Sequence, residues 1–347
     1  MRIAITGATG FVGSAVVRRQ FGDGDHIRAL LRPTAQLTQP LSEGVDQAKV
    51  EVVRGDLGDP TMAPRFLADV DALVHLALDH QTGRYRGGEG NDPVGFVLTN
   101  LSASLALLRS AIEARVPRVV FVSSRAVFDG CDVRLPATIA DDARPLPTTL
   151  YGACKATVES LITTTGASTD GGGGRSVLCG IRPTGVYGMA SPPQSSKWWE
   201  MVEAVANQQP VRSDGGGTEV HVDDVAQGIQ TLLTARAEDV SGRIFNCSDL
   251  YVPHRAIASL ALGWFDNAGG RCQETEDRYR EPPAPGLEAR NVLDSSALEA
   301  LGVSFRGWEG VRNFTDDLCA AVLDTMPGRR PPERRRGSGH AAETKGT

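Results

Sequence analysis

Three glycines spaced three residues apart follow a short apolar segment near the start of the chain. The segment is Arg2–Thr6, and the glycines are Gly7, Gly10 and Gly13. The segment predicts a buried strand, and the residues from Val12 to Phe21 predict a helix. Glycine lets the loop turn sharply and lets other groups approach its backbone, so the loop restricts the chain to folds that need such an approach.

The same alternation of strand and helix continues through the first half of the chain. A long helix is predicted from about Val94 to Ala114, and the predicted strands are HIRALL, VEVVRGD, DALVHLAL and RVVFVSS. This alternation predicts an α/β fold, a doubly wound parallel sheet of the Rossmann type with helices on both faces. Later signals are mixed, although SVLCGIRP and RIFNCS have the character of strands and VDDVAQGIQTLLTA that of a helix.

These patterns divide the chain into two lobes and a tail. We expect 1–184 to form the Rossmann-type domain, with 224–248 returning to it. We expect 185–223 and 249–326 to form a smaller mixed C-terminal lobe that binds substrate. The segment 327–347 is basic and rich in proline and glycine, so we expect it to be disordered. Because the net charge is −6 and this tail is positive, the body is acidic, which argues against nucleic acid as a partner.

Cysteine usage and hydropathy indicate the environment that we expect. Six cysteines are scattered without CxxC spacing and without a histidine cluster beside them, so we expect reduced thiols and no metal site. By inspection no apolar run is long enough to span a bilayer, and the chain does not begin with a signal segment. We therefore expect a cytoplasmic protein without a membrane partner.

The glycine loop stands where such a loop binds a dinucleotide, after a strand and before a helix. A pyrophosphate fits against the amide N–H groups of a helix N-terminus, and side chains in the loop would block its approach. We expect the cofactor to be bound by the loop and the first residues of the helix, namely Gly7, Thr9, Gly10, Phe11, Val12 and Gly13.

The stretch YGACK places Tyr151 and Lys155 four residues apart on a predicted helix. This spacing puts both side chains on one helix face. The pKa of an unperturbed tyrosine is about 10, and a nearby ammonium group favours the phenolate. Tyr151 could then exchange a proton with a hydroxyl or carbonyl group of a substrate.

Several stretches together resemble the extended branch of the short-chain dehydrogenase/reductase superfamily, which contains NAD(P)-dependent epimerases, dehydratases and ketone reductases. These stretches are TGATGFVG, FVSSRAVFDG, YGACK, IRPTGVYG and HVDDVA. The resemblance extends to about Leu323. It implies that Ser124, three residues before Val127, is the catalytic hydroxyl that polarises the substrate oxygen. It also implies that Lys155 bonds the nicotinamide ribose, in addition to acting on Tyr151.

The resemblance assigns further cofactor contacts to the ends of other strands. They are Asp56 at the adenine with Leu57 beside it, Ala77 for a close backbone approach, Ser123 through its backbone and Pro183 beside the nicotinamide. We also expect Asp223 to cap the helix that HVDDVA begins. His75 and His221 are expected to be structural.

Cofactor choice depends on the residue after the second strand. NAD-binding versions of this fold carry an acidic residue there that bonds the ribose 2′-hydroxyl. This chain has Arg32, whose guanidinium would pair with a 2′-phosphate, so we expect NADP, with NAD possible. In the alternative reading, Arg32 is simply exposed beyond the strand.

Departures from the resemblance bear on the reaction. Arg125 and Ala126 stand where sugar 4,6-dehydratases carry an Asp-Glu pair, which argues against dehydration. Gly217 stands about where nucleotide-sugar epimerases present an arginine to the diphosphate, and Glu219 lies nearby. We expect an oxidoreductase that transfers hydride at a carbonyl or secondary alcohol of a small polar or sugar-like substrate. The alternatives are a nucleotide-sugar epimerase with retained NAD and a cofactor-sensing protein without turnover.

Other residues are candidates for substrate binding or assembly. Arg84 and Arg86 could bind an anionic group, and they could equally be ordinary surface arginines. Arg212 or Arg290 could take the place of the arginine that epimerases present to the diphosphate. The pair Trp198 and Trp199 could line the substrate pocket, although core packing explains it as well. Apolar residues repeat along the long helix at Leu98, Leu101, Leu105, Leu108 and Ile112. The resemblance implies that this helix and the Tyr-Lys helix form the interface of a homodimer.

Overall fold

The computed structural model describes residues 1–59, 61–79, 88–129, 138–167, 176–211, 214–267 and 292–326. Its strands are β1 (Arg2–Thr6), β2 (His26–Leu31), β3 (Val50–Arg54), β4 (Ala72–His75), β5 (Arg118–Val122), β6 (Thr138–Ile139), β7 (Val177–Pro183), β8 (Gly185–Tyr187), β9 (Gly216–His221), β10 (Ile244–Cys247), β11 (Leu250–Pro253) and β12 (Val292–Leu293). Its α-helices are α1 (Phe11–Gly22), α2 (Gln39–Asp46), α3 (Met62–Leu67), α4 (Pro93–Val97), α5 (Ala103–Glu113), α6 (Leu150–Ala167), α7 (Trp199–Ala206), α8 (Val222–Thr234), α9 (Ala237–Val240), α10 (His254–Asn267), α11 (Ser296–Ala300) and α12 (Gly307–Asp324).

Seven of the strands form a parallel sheet in the order β10-β7-β5-β4-β1-β2-β3. The chain moves outward from β1 to β2 and β3, and then returns to the other side of β1 with β4. Between β1 and β4 the strand order reverses, and in such sheets the crevice outside the carboxyl ends of the strands binds the ligand. The predicted Rossmann-type fold is confirmed.

The central strand shows why this sheet forms. Ile3, Ala4 and Ile5 of β1 are fully buried, so both faces of the strand are covered. Parallel sheets need such cover, and strands buried on both faces are continuously apolar rather than alternating. Burying an isoleucine side chain fully contributes about 1.5–3 kcal/mol relative to leaving it exposed.

A smaller sheet accompanies the large one, in the order β11-β9-β8, with β11 antiparallel and β8 parallel to β9. Beside it α7, α10 and α12 enclose a second apolar core. Within that core the rings of Tyr187 and Trp198 lie 5.5 Å apart between centroids, and Phe314 lies 5.5 Å from Tyr187. Trp198 and Trp199 are both buried, so they pack in this core. The residue numbers that we expect to separate the two lobes stay a prediction.

The long predicted helix consists of α4, a π-helical turn at Leu98–Ser102 and α5. Within the described ranges, Pro93–Glu113 is the one helix with the length and apolar composition that could cross a membrane. The expectation that no segment reaches this length is therefore wrong. Leu107 and Leu108 are buried in the core against the sheet, and core helices share this composition, so the property alone does not indicate a membrane.

Some predictions fall on parts of the chain that the structure does not describe. They concern the four arginines Arg84, Arg86, Arg212 and Arg290, two of the cysteines, and the tail 327–347. The other four cysteines are free thiols and buried.

Candidate functional site

The glycine loop after β1 is packed too tightly for side chains at two positions. Gly7 has a φ of +72°, and a Cβ there would lie 2.9 Å from the backbone nitrogen of Ala77. At Gly13, a Cβ would overlap the carbonyl oxygen of Gly7 and lie 2.9 Å from the Cα of Ala8. The backbone of the loop is therefore in direct contact with the segment after β4 and with the start of α1, and neither contact leaves room for a side chain.

The start of α1 is open to an anionic ligand. Its N-cap is Gly10, which is exposed and offers no side-chain hydrogen bond, so the first-turn N–H groups have no cap. The first turn also carries no acidic residue. Uncapped N–H groups and the helix dipole favour a negative group there. The remaining predicted loop contacts, Thr9, Phe11 and Val12, are half-buried, and all of them fit a dinucleotide pyrophosphate at this point.

A buried chain of hydrogen bonds joins the end of β1, just before the glycine loop, to the end of β4 and to α5. His75 bonds Thr6 Oγ1 through Nδ1 at 2.7 Å and Ser104 Oγ through Nε2 at 2.9 Å. Thr6 Oγ1 also accepts from the backbone N–H of Ala77 at 3.1 Å. Burial lowers the pKa of His75 to about 3, and Lys155 adds to this effect. His75 is therefore neutral and structural at physiological pH.

Asn100 holds the segment after β4, and the sequence reasoning did not find it. Its side-chain oxygen accepts from the backbone N–H of Asp79 at 2.7 Å, and its amide donates to the carbonyl of Asp79 at 2.8 Å. The amide also donates to the carbonyl of Phe96 at 3.0 Å. A buried asparagine inside an otherwise apolar helix is a signal that was available, because a buried amide needs partners.

Two arginines lie where the ribose end of a dinucleotide is expected. Arg32 is exposed, and its Nη1 lies 3.3 Å from a carboxylate oxygen of Asp79. Arg54, at the end of β3, donates to the carbonyls of Arg32, Pro33 and Ala35 at 3.2, 3.1 and 2.9 Å. Arg54 thus shapes the turn that presents Arg32.

The other predicted adenine contacts follow β3. Asp56 is exposed, and its Oδ1 accepts from the backbone N–H of Gly58 at 3.2 Å. Leu57 is half-buried against the apolar core on one side of the sheet. Both residues lie at the carboxyl edge of the sheet, on the same edge as the glycine loop.

The packing of α6 against the turn after β5 places Tyr151 beside Ala126, two residues after Ser124. Ser124 begins a 3-10 turn at Arg125–Phe128, and its Oγ accepts from the backbone N–H of Ala126 at 3.1 Å. Tyr151 is buried in a cluster with Ala126. A Cβ at Gly152 would overlap the carbonyl oxygen of Ala126, so glycine there allows the close approach.

Lys155 lies one turn further along α6, on the same face as Tyr151. Its Nζ donates to the carbonyl of Val122 at 2.7 Å and lies 4.6 Å from the ring centroid of Phe121. The same Nζ is 6.0 Å from the ring centroid of Tyr151. Burial lowers the pKa of Lys155 to about 8, although the Glu159 carboxylate opposes this shift.

A buried ion pair supports the same helix face and was missed by the sequence reasoning. Arg182 bonds both carboxylate oxygens of Glu159, each at 2.9 Å, and also donates to the carbonyl of Asp141 at 2.8 Å. Glu159 also accepts from the hydroxyl of Ser123. Tyr151, Lys155 and Glu159 follow one another at intervals of four residues, which places them on one face of a helix. This spacing could have indicated Glu159 from the sequence.

Ser123 and Pro183 lie on adjacent strand ends. The backbone N–H of Ser123 donates to the carbonyl of Ile181 at 2.8 Å, and its hydroxyl is bound by Glu159. Only its carbonyl is left for the predicted backbone contact with a cofactor. Pro183 ends β7, and the next residue, Thr184, is buried with a hydroxyl that has no hydrogen-bond partner among the described residues. Such a group fits a place where a ligand or water supplies the partner.

The cap of α8 differs from the prediction. The helix begins at Val222, and its N-cap is His221, whose Nδ1 accepts from the backbone N–H of Asp223 at 3.2 Å. The predicted cap at Asp223 is wrong because the helix starts two residues earlier than that cap would require. The Asp223 carboxylate instead lies 3.4 Å from Arg306 and 3.8 Å from Arg18. Burial lowers the pKa of His221 to about 4, which suits a structural acceptor.

Comparisons with known proteins agree with this arrangement. The family model described as "NAD dependent epimerase/dehydratase family" matches residues 3–248. The chain is 34% identical to D-erythronate dehydrogenase of Cupriavidus necator over 168 residues, which are 47% of this chain and 49% of that protein, so the match spans about half the length of this relative. It is 28% identical to dTDP-glucose 4,6-dehydratase of Streptomyces niveus over 322 residues, 88% of each chain.

A solved structure shows the same fold over nearly the whole chain. It is UDP-glucose 4-epimerase of Thermus thermophilus in complex with NAD, with a TM-score of 0.67 and 22% sequence identity. The superposition covers 92% of this chain and 99% of that chain.

Proposed function

Because the chain belongs to the NAD dependent epimerase/dehydratase family, we propose that it is an NAD(P)-dependent oxidoreductase of the extended short-chain dehydrogenase/reductase type. The substrate is a small polar or sugar-like molecule with a carbonyl group or a secondary alcohol. One observation carries the proposal. A buried Lys155 lies on the same helix face as Tyr151, and that face packs against the turn that begins at Ser124.

The three side chains have distinct roles in this proposal. A bound nicotinamide supplies the exchange of a hydride. Tyr151 exchanges the proton of the substrate oxygen, and the hydroxyl of Ser124 donates a hydrogen bond to that oxygen. Lys155, whose pKa is near 8, carries a positive charge at neutral pH and stabilises the phenolate form of Tyr151. The carbonyl of Val122 keeps the ammonium group in place.

We propose NADP as the preferred cofactor, with NAD also accepted. Arg32 supports this because the only described partner of its guanidinium group is the exposed carboxylate of Asp79, which a 2′-phosphate could replace. Gly7, Thr9, Gly10, Phe11, Val12 and Gly13 would hold the pyrophosphate, and Asp56, Leu57, Ala77, Ser123 and Pro183 would border the rest. The family description and the Thermus structure name NAD, so cofactor preference is a point that experiment has to decide.

Net oxidation or reduction is favoured over the other reactions of the family. Arg125, which stands in the place of a dehydratase acid, lies 3.7 Å from the carboxylate of Asp129, and its neighbour Ala126 is buried. Neither side chain can serve as the acid of a dehydration. The similarity to D-erythronate dehydrogenase supports an alcohol oxidation, although it covers half of that relative. A nucleotide-sugar epimerase with retained NAD is the second candidate, supported by the shared fold.

The test follows reduced nicotinamide by absorbance with purified protein and a panel of hydroxy acids, polyols, sugars and nucleotide sugars. Stoichiometric cofactor turnover supports the oxidoreductase, whereas isomer exchange without net change supports the epimerase. Tyr151→Phe should lower the rate by roughly 10²–10⁴-fold. Tyr187→Phe, which removes another buried tyrosine hydroxyl, is the matched control and should leave the rate unchanged. Undiminished activity in Tyr151→Phe would contradict the mechanism.

The assembly and location of the protein are also proposals. We propose a homodimer formed through the outer face of Pro93–Glu113, where Val94 and Leu98 are 67% and 60% exposed. Light scattering of the purified chain tests this. A cytoplasmic location and the absence of nucleic-acid and membrane partners stay predictions.

A further inference from the structure

A buried carboxylate in the smaller lobe binds a lysine that is accessible to solvent. Glu219 on β9 is 4% exposed in its side chain, whereas the side chain of Lys197 is 32% exposed. Lys197 Nζ donates to Glu219 Oε2. Burial raises the pKa of Glu219, and the contact with Lys197 opposes this shift. A carboxylate with this little solvent needs its cation, so the pair behaves as one unit.

Two glycines make room for this pair. A Cβ at Gly185 would overlap Glu219 Oε2 and lie 2.7 Å from Lys197 Nζ. A Cβ at Gly217 would lie 2.5 Å from Glu219 Oε1. Any side chain at either position would displace the Glu219 carboxylate. The ion pair therefore requires glycine at both positions.

The chain length limits how far the pair can lie from the candidate catalytic site. Gly185 is opposite Glu219 in the register of β8 and β9, and it follows the end of β7 by two residues. In β7, the carbonyl of Ile181 bonds the backbone N–H of Ser123. Ile181 and Gly185 are four positions apart, so their Cα atoms lie at most about 14 Å from each other. The backbone opposite Glu219 is therefore within this distance of the strand position that bonds Ser123.

Polar groups at the pair remain available to a ligand. An ammonium group has three N–H donors, and one of those on Lys197 bonds Glu219. Glu219 Oε1 accepts no hydrogen bond from the described residues. The next residue, Trp198, is 9% exposed and has an indole N–H without an acceptor among the described residues. Lys197 Nζ lies 5.6 Å from the centroid of that ring. A buried donor without an acceptor implies a partner that arrives with ligand or water.

We propose that Lys197 and Glu219 form a subsite for the hydroxyl groups of a small polyhydroxylated substrate and select against nucleotide diphosphates. This inference rests on the proposed function and specifies the substrate class. A hydroxyl group can accept a hydrogen bond from Lys197 and donate one to Glu219, so this electrically neutral ion pair offers a partner for both roles of a hydroxyl. A diphosphate would bring two or more negative charges to a poorly solvated carboxylate whose cation is already committed, which is unfavourable.

The experiment uses the full chain loaded with NADP or NAD. Calorimetry measures binding of small polyols, sugar acids and aldoses, D-erythronate included, and of UDP-glucose as the diphosphate probe. Lys197→Met leaves Glu219 buried without its cation and can affect folding. The double variant Lys197→Met/Glu219→Gln removes both charges and keeps the shape. It should fold and should bind the small ligand roughly 10- to 100-fold more weakly than the unmodified chain.

A second buried pair, which joins α8 to the N-cap of α12, provides the control. Arg306 is 42% exposed and bonds Asp224, which is 2% exposed, so it matches the Lys197–Glu219 pair in burial and charge. The double variant Arg306→Met/Asp224→Asn should lower the melting temperature and leave ligand affinity unchanged.

The inference is wrong if the folded Lys197→Met/Glu219→Gln variant binds the small ligand as tightly as the unmodified chain. It is also wrong if UDP-glucose binds more tightly than every small ligand, or if no small ligand binds. Failure of the proposed function has a different signature. In that case small ligands bind and respond to the double variant, but no cofactor is oxidised or reduced.

Discussion

The large sheet and the smaller lobe each bind a lysine side chain, Lys155 and Lys197, and they bind it in different ways. Lys155 is buried, donates to the backbone carbonyl of Val122 and lies over the ring of Phe121. Lys197 is partly exposed and donates to the carboxylate of Glu219. The ammonium group of Lys155 is therefore bound by a carbonyl dipole and an aromatic ring, whereas that of Lys197 is bound by a carboxylate with a full negative charge.

This difference matters for the chemistry that each region can perform. A cation that is desolvated without a direct carboxylate bond has a lowered pKa, and Lys155 has one near 8. The protonation of such a group can be coupled to the ionisation of a neighbouring phenol. A cation paired directly with a carboxylate keeps its charge and its position, which suits recognition of a ligand.

Replacing Lys155 with methionine should separate activity from stability. The rate should fall by roughly 10²–10⁴-fold, because Tyr151 loses the cation that favours its phenolate. The melting temperature should stay the same or rise, because the variant removes a desolvated charge and keeps the volume. Turnover and thermal unfolding are measured on the same preparation. A variant that unfolds while the rate per folded molecule is retained would show that Lys155 is structural, and the contrast between the regions would fail.

The pH dependence of stability gives the second prediction. The folded pKa of Lys155 is near 8, below the ordinary lysine pKa of 10.5, so between these two pH values the unfolded chain binds more protons than the folded chain. Stability from this group should therefore rise as pH increases through this window, by up to about 3 kcal/mol. Below pH 8 Lys155 is protonated in both the folded and the unfolded chain, so the cost of burying its charge no longer changes with pH. Denaturant unfolding of the unmodified chain and of Lys155→Met measures the difference, and a difference that does not change from pH 8 to 10 would contradict the lowered pKa.

Gly13→Ala should weaken dinucleotide binding by roughly 10- to 100-fold, because overpacking of about 1–3 kcal/mol distorts the loop. The matched control is Gly22→Ala at the other end of α1, where a Cβ meets nothing within 4 Å. That variant should bind the cofactor normally. Fluorescence titration with NADPH and NADH measures both variants. Equal affinities would mean that the cofactor does not lie on this loop.

Arg32→Ala should have the smallest effect. It should raise the Michaelis constant for NADPH by roughly tenfold and leave that for NADH nearly unchanged, because it removes one charged contact with a 2′-phosphate. Arg109→Ala, which removes an exposed arginine of α5 with an intrahelical partner, is the control. A parallel change for both cofactors would assign Arg32 to the fold of the turn, beside Arg54, and would remove the basis for NADP.

Parts of the site were predictable because they depend on local chain geometry. The glycine loop needed only a strand before it and a helix after it, and both are confirmed by β1 and α1. The Tyr151–Lys155 spacing needed only a helix, and α6 supplies it. Whether these residues bind a cofactor and act on a substrate stays a prediction.

Other parts were not predictable because they join residues that are distant along the chain. Asn100 bonds a segment 21 residues away, Arg182 meets Glu159 across 23 residues, and Lys197 meets Glu219 across 22. The predicted cap at Asp223 was wrong for a smaller reason, because helix ends shift by a residue or two and His221 caps the helix two residues earlier.

Local sequence patterns were enough to predict the fold class and the loop on which a dinucleotide would lie, because strand and helix periodicity and backbone freedom are properties of neighbouring residues. Which charges are buried, and which carboxylate pairs with which cation, depends on the packing of segments that are distant along the chain. Desolvation and ion pairing depend on what surrounds a side chain in space, and at Glu219 two bare backbone positions on different strands provide that space.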